Sequence, residues 1–442
     1  MAGRKSDYDV MVAGHLCLDI IPRMPDTGAR EVAEILRPGK LVHVAEAQIS
    51  TGGCVSNTGL ALHLLGNRVC FSARIGNDAF GRLTLKCLER FGKATGIRVV
   101  EGAASPYSIV LAPPGIDRII LHYPSTNDAY GVEDLDAGLI ARCRLFHFGY
   151  PTLMRRMYRN GGKELRSILK SARRTGATVS LDTTLPDPAS PAGPAPWRRI
   201  MARALPEVDI FLPSLEEALY MLDPKAFLSL KKKHRNADLT HVLTPGEYAR
   251  VADTLLSMGP PVVALKAGDQ GWYLKTAPRL DVSRMGRARP GNSADWAGRE
   301  LWCPALRVGT IASANGAGDA SIAGFLTGFL KGLSPEMCLR AAVCLGWQNV
   351  QTLDAVSGIR SWTETLAILA ANPPTVQVSG LSRAWKWMPH AQVWRGPSDG
   401  DRRGHHPVRT KLARRSRGAR APLGVSPRDK PPPRRSYKKN VW

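Results

Sequence analysis

The 442 residues predict an α/β fold, a parallel or mixed sheet covered by helices with a small β-rich addition. Three observations carry this. Short apolar, strand-like runs alternate with helix-like stretches through most of the chain, the pattern of a helix-covered sheet. Residues 41–49 and 97–123, the latter with a Pro-Pro-Gly turn at 113–115, break that rhythm with extended or hairpin character. Clusters of Gly, Asn and Asp follow several strand-like runs, and open α/β sheets bind ligands outside the carboxyl ends of their strands.

Taken in order, residues 9–21 (DVMVAGHLCLDII) read as a first strand and the turn after it. Residues 57–65 read as a helix, stopped by Gly66. Residues 69–75 form a second strand. Residues 145–148 make a short buried strand, followed by a helix around 162–174. Residues 177–181, 208–212 and 262–265 are three more short strands. Residues 275–302 read as an exposed Gly/Pro/Arg-rich loop. The run 231–235 (KKKHR) reads as a solvated helix face, with an anionic-ligand patch as the alternative. There is no internal repeat.

Composition narrows the function classes. Hydrophobic residues make up 44%, which excludes global disorder. No run of 18 apolar residues occurs, so no membrane-spanning helix is expected. The first residues lack the apolar core of a secretory signal, which points to the cytoplasm. Eight scattered cysteines without a Cys-x-x-Cys pair read as reduced, mostly buried thiols with no metal role. The net charge of +24 is uneven: residues 380–442 hold 17 Lys/Arg against 3 Asp/Glu. This segment is rich in Arg, Pro, Gly and Ser without strand or helix period, and reads as a basic disordered tail. Nucleic-acid binding is expected only through that tail, if at all.

The strongest chemical signal is Asn315-Gly316-Ala317-Gly318-Asp319. Ile322, Phe325, Leu326, Phe329 and Leu330 then recur at helical spacing. The glycines thus open an apolar helix, where backbone N–H groups and the helix dipole favour a phosphoryl group or an oxyanion. Asp319, in the first turn, is the candidate general base for phosphoryl transfer. A tight turn with an Asp in the helix's first turn is the plain structural alternative. The second signal is Thr51-Gly52-Gly53-Cys54-Val55-Ser56-Asn57-Thr58, two glycines before a helix that Asn57 opens. Asp19 is a third polar residue at a strand end, and Tyr150 is placed at the pocket or in packing. Trp302 and Trp347 read as packing residues. The absence of Gly-x-x-x-x-Gly-Lys-Ser/Thr excludes a P-loop kinase. Residues 396–400 (GPSDG) match a serine-hydrolase elbow but lack its strand and helix, so the match reads as chance.

Together these motifs resemble the PfkB carbohydrate kinases, the ribokinase-like sugar and nucleoside kinases, over residues 8–371. Gly52, Gly53, Asn57, Gly66 and Gly76 match the amino-terminal signature, and residues 316–326 match the carboxy-terminal one. The resemblance implies a three-layer α/β/α sandwich with a small β-rich lid. The body would be residues 1–30, 50–96 and 128–375, the lid 31–49 and 97–127, and the tail 380–442. It implies ATP-dependent phosphorylation of a hydroxyl on a sugar, sugar derivative or nucleoside. Asp319 would be the base, and the backbone of Gly316, Ala317 and Gly318 the anion hole. Asp19, Gly52, Gly53 and Asn57 would hold the substrate. Lys266, Gly268, Gly271, Ser214 and Asn349 would lie at the nucleotide, and Glu217 would organise Mg²⁺ indirectly. A homodimer through the lid is left open.

Two departures stand out. Ser313-Ala314-Asn315 replaces the usual Asp-Thr-Thr, which puts K⁺ activation in doubt. Ser214 replaces the Asn of the Asn-x-x-Glu element. A catalytically weak sugar- or nucleotide-binding regulator on the same fold, and a nucleic-acid-associated protein acting through the tail, are the rival readings.

Overall fold

The computed structural model describes residues 6–91, 94–116 and 118–400. An eleven-stranded sheet forms its centre. Its strands are β1 (Tyr8–Gly14), β4 (Val69–Gly76), β5 (Ile97–Val100), β8 (Cys143–Gly149), β9 (Thr178–Leu181), β10 (Ile210–Phe211), β11 (Val262–Lys266), β12 (Trp272–Thr276), β13 (Glu300–Cys303), β14 (Lys386–Met388) and β15 (Val393–Arg395). The order across the sheet is β5-β4-β1-β8-β9-β10-β11-β12-β13-β15-β14. From β5 to β11 every pairing is parallel, and from β11 to β14 every pairing is antiparallel.

Parallel strands need both faces covered, so they read as continuous apolar runs. Val10 to Ala13 of β1 and Val262 to Leu265 of β11 are such runs, all buried. One face packs on a core that includes Phe146, Phe148, Ile168 and Phe211, the other on one that includes Val12, Leu212, Phe325 and Phe329. The Ala317–Leu330 helix is buried nearly all round, not only along the apolar stripe its sequence shows. It lies in the second core between the Cys54–Leu64 and Pro335–Asn349 helices.

A second, four-stranded sheet has the order β3-β2-β6-β7: β3 (Ala45–Gly52), β2 (Cys17–Arg23), β6 (Tyr107–Leu111) and β7 (Ile119–Tyr123). It is the β-rich layer expected from 31–49 and 97–127, with two corrections. Residues 17–23, placed in the body as the turn after the first strand, are a strand of the small sheet paired with both β3 and β6. Residues 97–100, placed in the lid, pair with β4 in the large sheet. The apolar run 9–21 hides a sheet change at His15–Leu16, just after Gly14 at φ 123°, since the residues on both sides are largely apolar.

Two further expectations are corrected. Residues 380–400 are not a disordered tail. β14 and β15 extend the large sheet, Trp385 packs near the rings of Tyr273 and Trp302, and the Asp399 carboxylate takes the Arg299 guanidinium at 2.8 Å. The Ser398 hydroxyl donates to buried Glu300 at 2.6 Å, so the elbow-like 396–400 run closes the sheet edge. Three-residue strands are too short to show a period, and the large aromatics supply the burial. The remainder of the tail, 401–442, lies outside the described residues. Residues 275–302 are likewise no simple exposed loop. Met285, Ala288 and Trp296 are buried, and the Arg287 guanidinium donates to the carbonyls of Cys143, Thr175 and Ile140.

The run 231–235 sits at the end of the Pro224–Lys233 helix, with Lys231 paired to Glu216. Trp302 is a core residue, and the Trp347 indole donates to the Arg307 carbonyl. Among the described residues no helix is long and apolar enough to cross a membrane.

Candidate active site

Because β1, β8, β9, β10 and β11 run parallel, their carboxyl ends open on one edge of the sheet. His15, Tyr150, Asp182, Ser214 and Lys266 stand there, at or just past those ends. The amino termini of the Cys54–Leu64 and Ala317–Leu330 helices meet at the same edge and bring residues some 260 positions apart into contact. Asn57 Nδ2 donates to Asp319 Oδ2 at 3.0 Å, and Thr58 Oγ1 donates to Asp319 Oδ1 at 3.0 Å. The Tyr150 hydroxyl also donates to Oδ2, at 2.6 Å. Two helix N-termini and three donors therefore surround one buried carboxylate.

The glycines have local causes. Gly53 caps its helix at φ 85°, and a Cβ there would lie 2.5 Å from His15 Nδ1. A Cβ on Gly52 would lie 2.2 Å from Asp19 Oδ2, so the carboxylate rests on bare backbone. Gly316 caps the second helix at φ 76°, where a Cβ would lie 2.5 Å from that of Ala355. The first-turn N–H groups of that helix lack intrahelical partners. Ala317 N–H is partly engaged, donating to the Ala314 carbonyl at 3.3 Å.

Beside Gly318 lies a charged cluster. Lys266 Nζ is 2.6 Å from Asp182 Oδ1 and 3.9 Å from Glu217 Oε2. The Lys266 chain runs close to Gly318, within 4 Å of where a Cβ would stand. Burial, Glu217 and Asp319 push the Asp182 carboxyl up, against the pull of the Lys266 ammonium beside it. Burial works to lower the Lys266 pKa, but Asp182, Glu217 and Asp319 outweigh it and hold the amine above its ordinary value. Three carboxylates face one ammonium, leaving a negative excess that suits a hard cation. Ser214 and Glu217 form a capping box, and Glu217 Oε2 also accepts the Thr183 hydroxyl at 2.9 Å.

On the small-sheet side, the Cys17 thiol donates to Asp19 at 3.3 Å and lies 3.5 Å from the Ser108 hydroxyl. His122 Nδ1 meets Ser108 Oγ at 3.1 Å, and its Nε2 meets His15 Nε2 at 3.1 Å. Burial raises the Asp19 carboxyl to about 6 despite the Cys17 and Ser108 hydrogen bonds. Burial also holds His147 down to about 3, with Lys266 adding to it, so this imidazole against Ser180 is neutral.

Most of the predicted residues come together. Asp319, Gly316, Ala317, Gly318, Asn57, Lys266 and Glu217 share the edge, with Asp19, Gly52 and Gly53 on the small-sheet side. Gly268 and Gly271 flank the turn from β11 to β12. Asn349 is fully buried, and its amide holds the Ala355 carbonyl at 2.8 Å, so it supports the loop against Gly316. Sequence reasoning missed Thr58, Asp182, Thr183, His15, Cys17, Ser108 and His122. Asp182 and His15 carried the strand-end signal by which Asp19 was singled out, although Asp19 itself lies inside β2 rather than at a strand end.

The family model for pfkB family carbohydrate kinases matches residues 9–362. The chain belongs to this family. As a pfkB-family member it is a kinase. An uncharacterized sugar kinase of Archaeoglobus fulgidus is 25% identical over 300 residues, covering 68% of this chain and 98% of the relative. Probable fructokinase-3 of Arabidopsis thaliana is 26% identical over 206 residues, covering 46% of this chain and 55% of the relative. Among solved structures, a fructokinase with bound ATP from Xylella fastidiosa superposes with a TM-score of 0.60 at 19% identity, covering 82% of this chain and 98% of that one. A ribokinase from Thermotoga maritima gives 0.58 at 19% identity, covering 82% and 99%. These neighbours show the fold, a ribokinase-like α/β sandwich, and the small sheet stands where the lid was expected.

Proposed function

We propose that this pfkB-family kinase transfers the γ-phosphoryl group of ATP to a hydroxyl of a sugar or sugar derivative, with Asp319 as general base. One observation carries the reading: a buried carboxylate at two converging helix N-termini already accepts a hydroxyl proton donor, the Tyr150 O–H at 2.6 Å. A substrate hydroxyl taking that position would give its proton to Asp319 as it attacks. The backbone of Gly316, Ala317 and Gly318 would stabilise the transferred group. Asp19, Asn57 and the backbone of Gly52 and Gly53 would hold the sugar. Asn57 Oδ1, buried without a hydrogen-bond partner, is an acceptor that a substrate hydroxyl would satisfy.

The charge excess at Asp182, Glu217 and Asp319 fits Mg²⁺, which would neutralise phosphate charge when bound. Glu217 and Asp182 would hold it, with waters between. Lys266, Ser214 and the Gly268–Gly271 turn would line the nucleotide side, with Asn349 acting from behind. Ser313-Ala314-Asn315 carries no carboxylate, so we expect turnover in Na⁺ buffer to stay within about twofold of that in K⁺. The exposed apolar residues Ile49, Ile120, Leu121 and Tyr123 of the small sheet support a homodimer through the lid.

The test is ADP release from Mg·ATP across a panel of sugars and nucleosides, with Asp319→Asn as control. A second reading, a weakly catalytic sugar-binding regulator, is favoured by the full set of protein donors on Asp319. Thermal stabilisation by sugar and nucleotide without ADP release would select it.

A further inference from the structure

Three metal-ligating side chains outside the phosphoryl-transfer cluster converge where the large sheet hands over to the small one. His15 stands between β1 and β2, Cys17 opens β2, and His122 lies on β7. One ligand atom from each falls within 4.8 Å of the others. The two imidazoles point Nε2 to Nε2 at 3.1 Å, with ring centroids 4.9 Å apart. Two nitrogens bound tetrahedrally to one zinc ion, at bonds of roughly 2.0–2.1 Å, stand about 3.3 Å apart. The observed separation needs almost no adjustment. His122 is also held as a ligand should be. Its Nδ1 faces the Ser108 hydroxyl at 3.1 Å, a hydrogen bond that fixes the ring and leaves Nε2 turned to His15.

We propose that His15, Cys17 and His122 form a binding site for a thiophilic transition-metal dication of the Zn²⁺ class. A thiolate with two imidazoles selects such an ion over Mg²⁺, which prefers oxygen. On binding, the Cys17 thiol gives its proton to solvent and the sulfur takes the metal. The Asp19 carboxylate, 3.3 Å from that sulfur, or a water completes four-coordination. The ion ties the corner at His15 to two strands of the small sheet. If the sugar is held by Asp19, as proposed above, metal and sugar compete for the same carboxylate, and micromolar zinc inhibits the kinase. The competition rests on that functional reading; the metal site itself does not.

The probe is Co²⁺, titrated into the full-length, chelator-treated protein and read by its absorption spectrum. One equivalent is expected to give a thiolate-to-cobalt charge-transfer band and the intense visible bands of a tetrahedral ion, both displaced by Zn²⁺. Cys17→Ser is expected to abolish the charge-transfer band. His122→Ala is expected to weaken Co²⁺ binding by about tenfold or more, both variants keeping the wild-type circular dichroism. No charge-transfer band in the folded wild type, or an undiminished band in Cys17→Ser, overturns the site. A sugar that supports ADP release is expected to weaken Co²⁺ binding; equal affinity with and without it overturns the competition. If no sugar supports ADP release, the sugar-phosphorylation reading fails while the cobalt spectrum still decides the metal site.

Discussion

Replacing Asp319 by Asn tests the base with little change of shape. Three donors converge on the carboxylate, Asn57 and Tyr150 on one oxygen and Thr58 on the other. In the variant the amide oxygen can keep Asn57 and Tyr150. The amide nitrogen then faces the Thr58 hydroxyl, which can turn to accept. No buried group need be orphaned. The loss is that of charge-assisted hydrogen bonds reduced to neutral ones, about 1–2 kcal/mol, partly offset by no longer burying a charge. The fold should survive, with a melting temperature within a few degrees of the wild type. Catalysis should not survive. A positioned general base contributes about 10²- to 10⁴-fold, or roughly 3–5 kcal/mol of barrier at 1.36 kcal/mol per decade. The assay is initial-rate ADP release at saturating sugar and Mg·ATP, with nucleotide binding measured separately by calorimetry. Turnover within about threefold of the wild type would refute the assignment, because an amide cannot take the proton. A collapse of the melting temperature would refute the packing argument instead.

Lys266→Met removes the ammonium facing Asp182, Glu217 and Asp319. Stranding buried carboxylates should cost about 3–5 kcal/mol and most of the activity. Burial raises the Asp182 carboxyl and Lys266 pulls it down, so without the amine Asp182 stays protonated to higher pH than in the wild type, and the stability deficit should grow as pH rises in paired thermal melts; a deficit independent of pH would contradict the pairing. Tyr150→Phe removes one donor from Asp319 and frees the oxygen a substrate hydroxyl needs. Turnover within about tenfold of wild type is expected, with a loss of up to about 3 kcal/mol in stability by urea melts; a rate loss as deep as that of Asp319→Asn would put the tyrosine hydroxyl in the proton path. Truncation before Gly380 strips β14 and β15 and leaves Arg299, buried beside Glu336, without Asp399. Thermal melts should show a drop of about 3 kcal/mol or more, and an unchanged melt would mean that this hairpin holds nothing.

The legible part of the fold was the part written in short-range pattern. Apolar runs such as Val10–Ala13 and Val262–Leu265 announce buried parallel strands because both faces are covered and no polar alternation is needed. Gly316 announced one helix start, taking a positive φ at the cap, whereas the other helix begins at Cys54 behind Gly53 and not at Asn57 as read, so Asn57 lies within it. The corner at His15–Leu16 was not legible, because both strands it joins are apolar. The hairpin at 386–395 was hidden by shortness and by surrounding Arg and Pro.

The sequence by itself determined the family and the glycine-rich helix start, because those depend on residue type and local spacing. Tertiary structure alone decided which side chains meet them. Thr58 and Asn57 reach Asp319 across some 260 residues, Tyr150 reaches it from the end of β8, and Lys266 meets Asp182 from two strands away. The same holds for His15 against His122 and for Asp399 against Arg299. A hydrogen bond or ion pair forms at about 3 Å regardless of distance along the chain, so partners of this kind leave no periodic trace in the sequence, and only the packed sheet order brings them together.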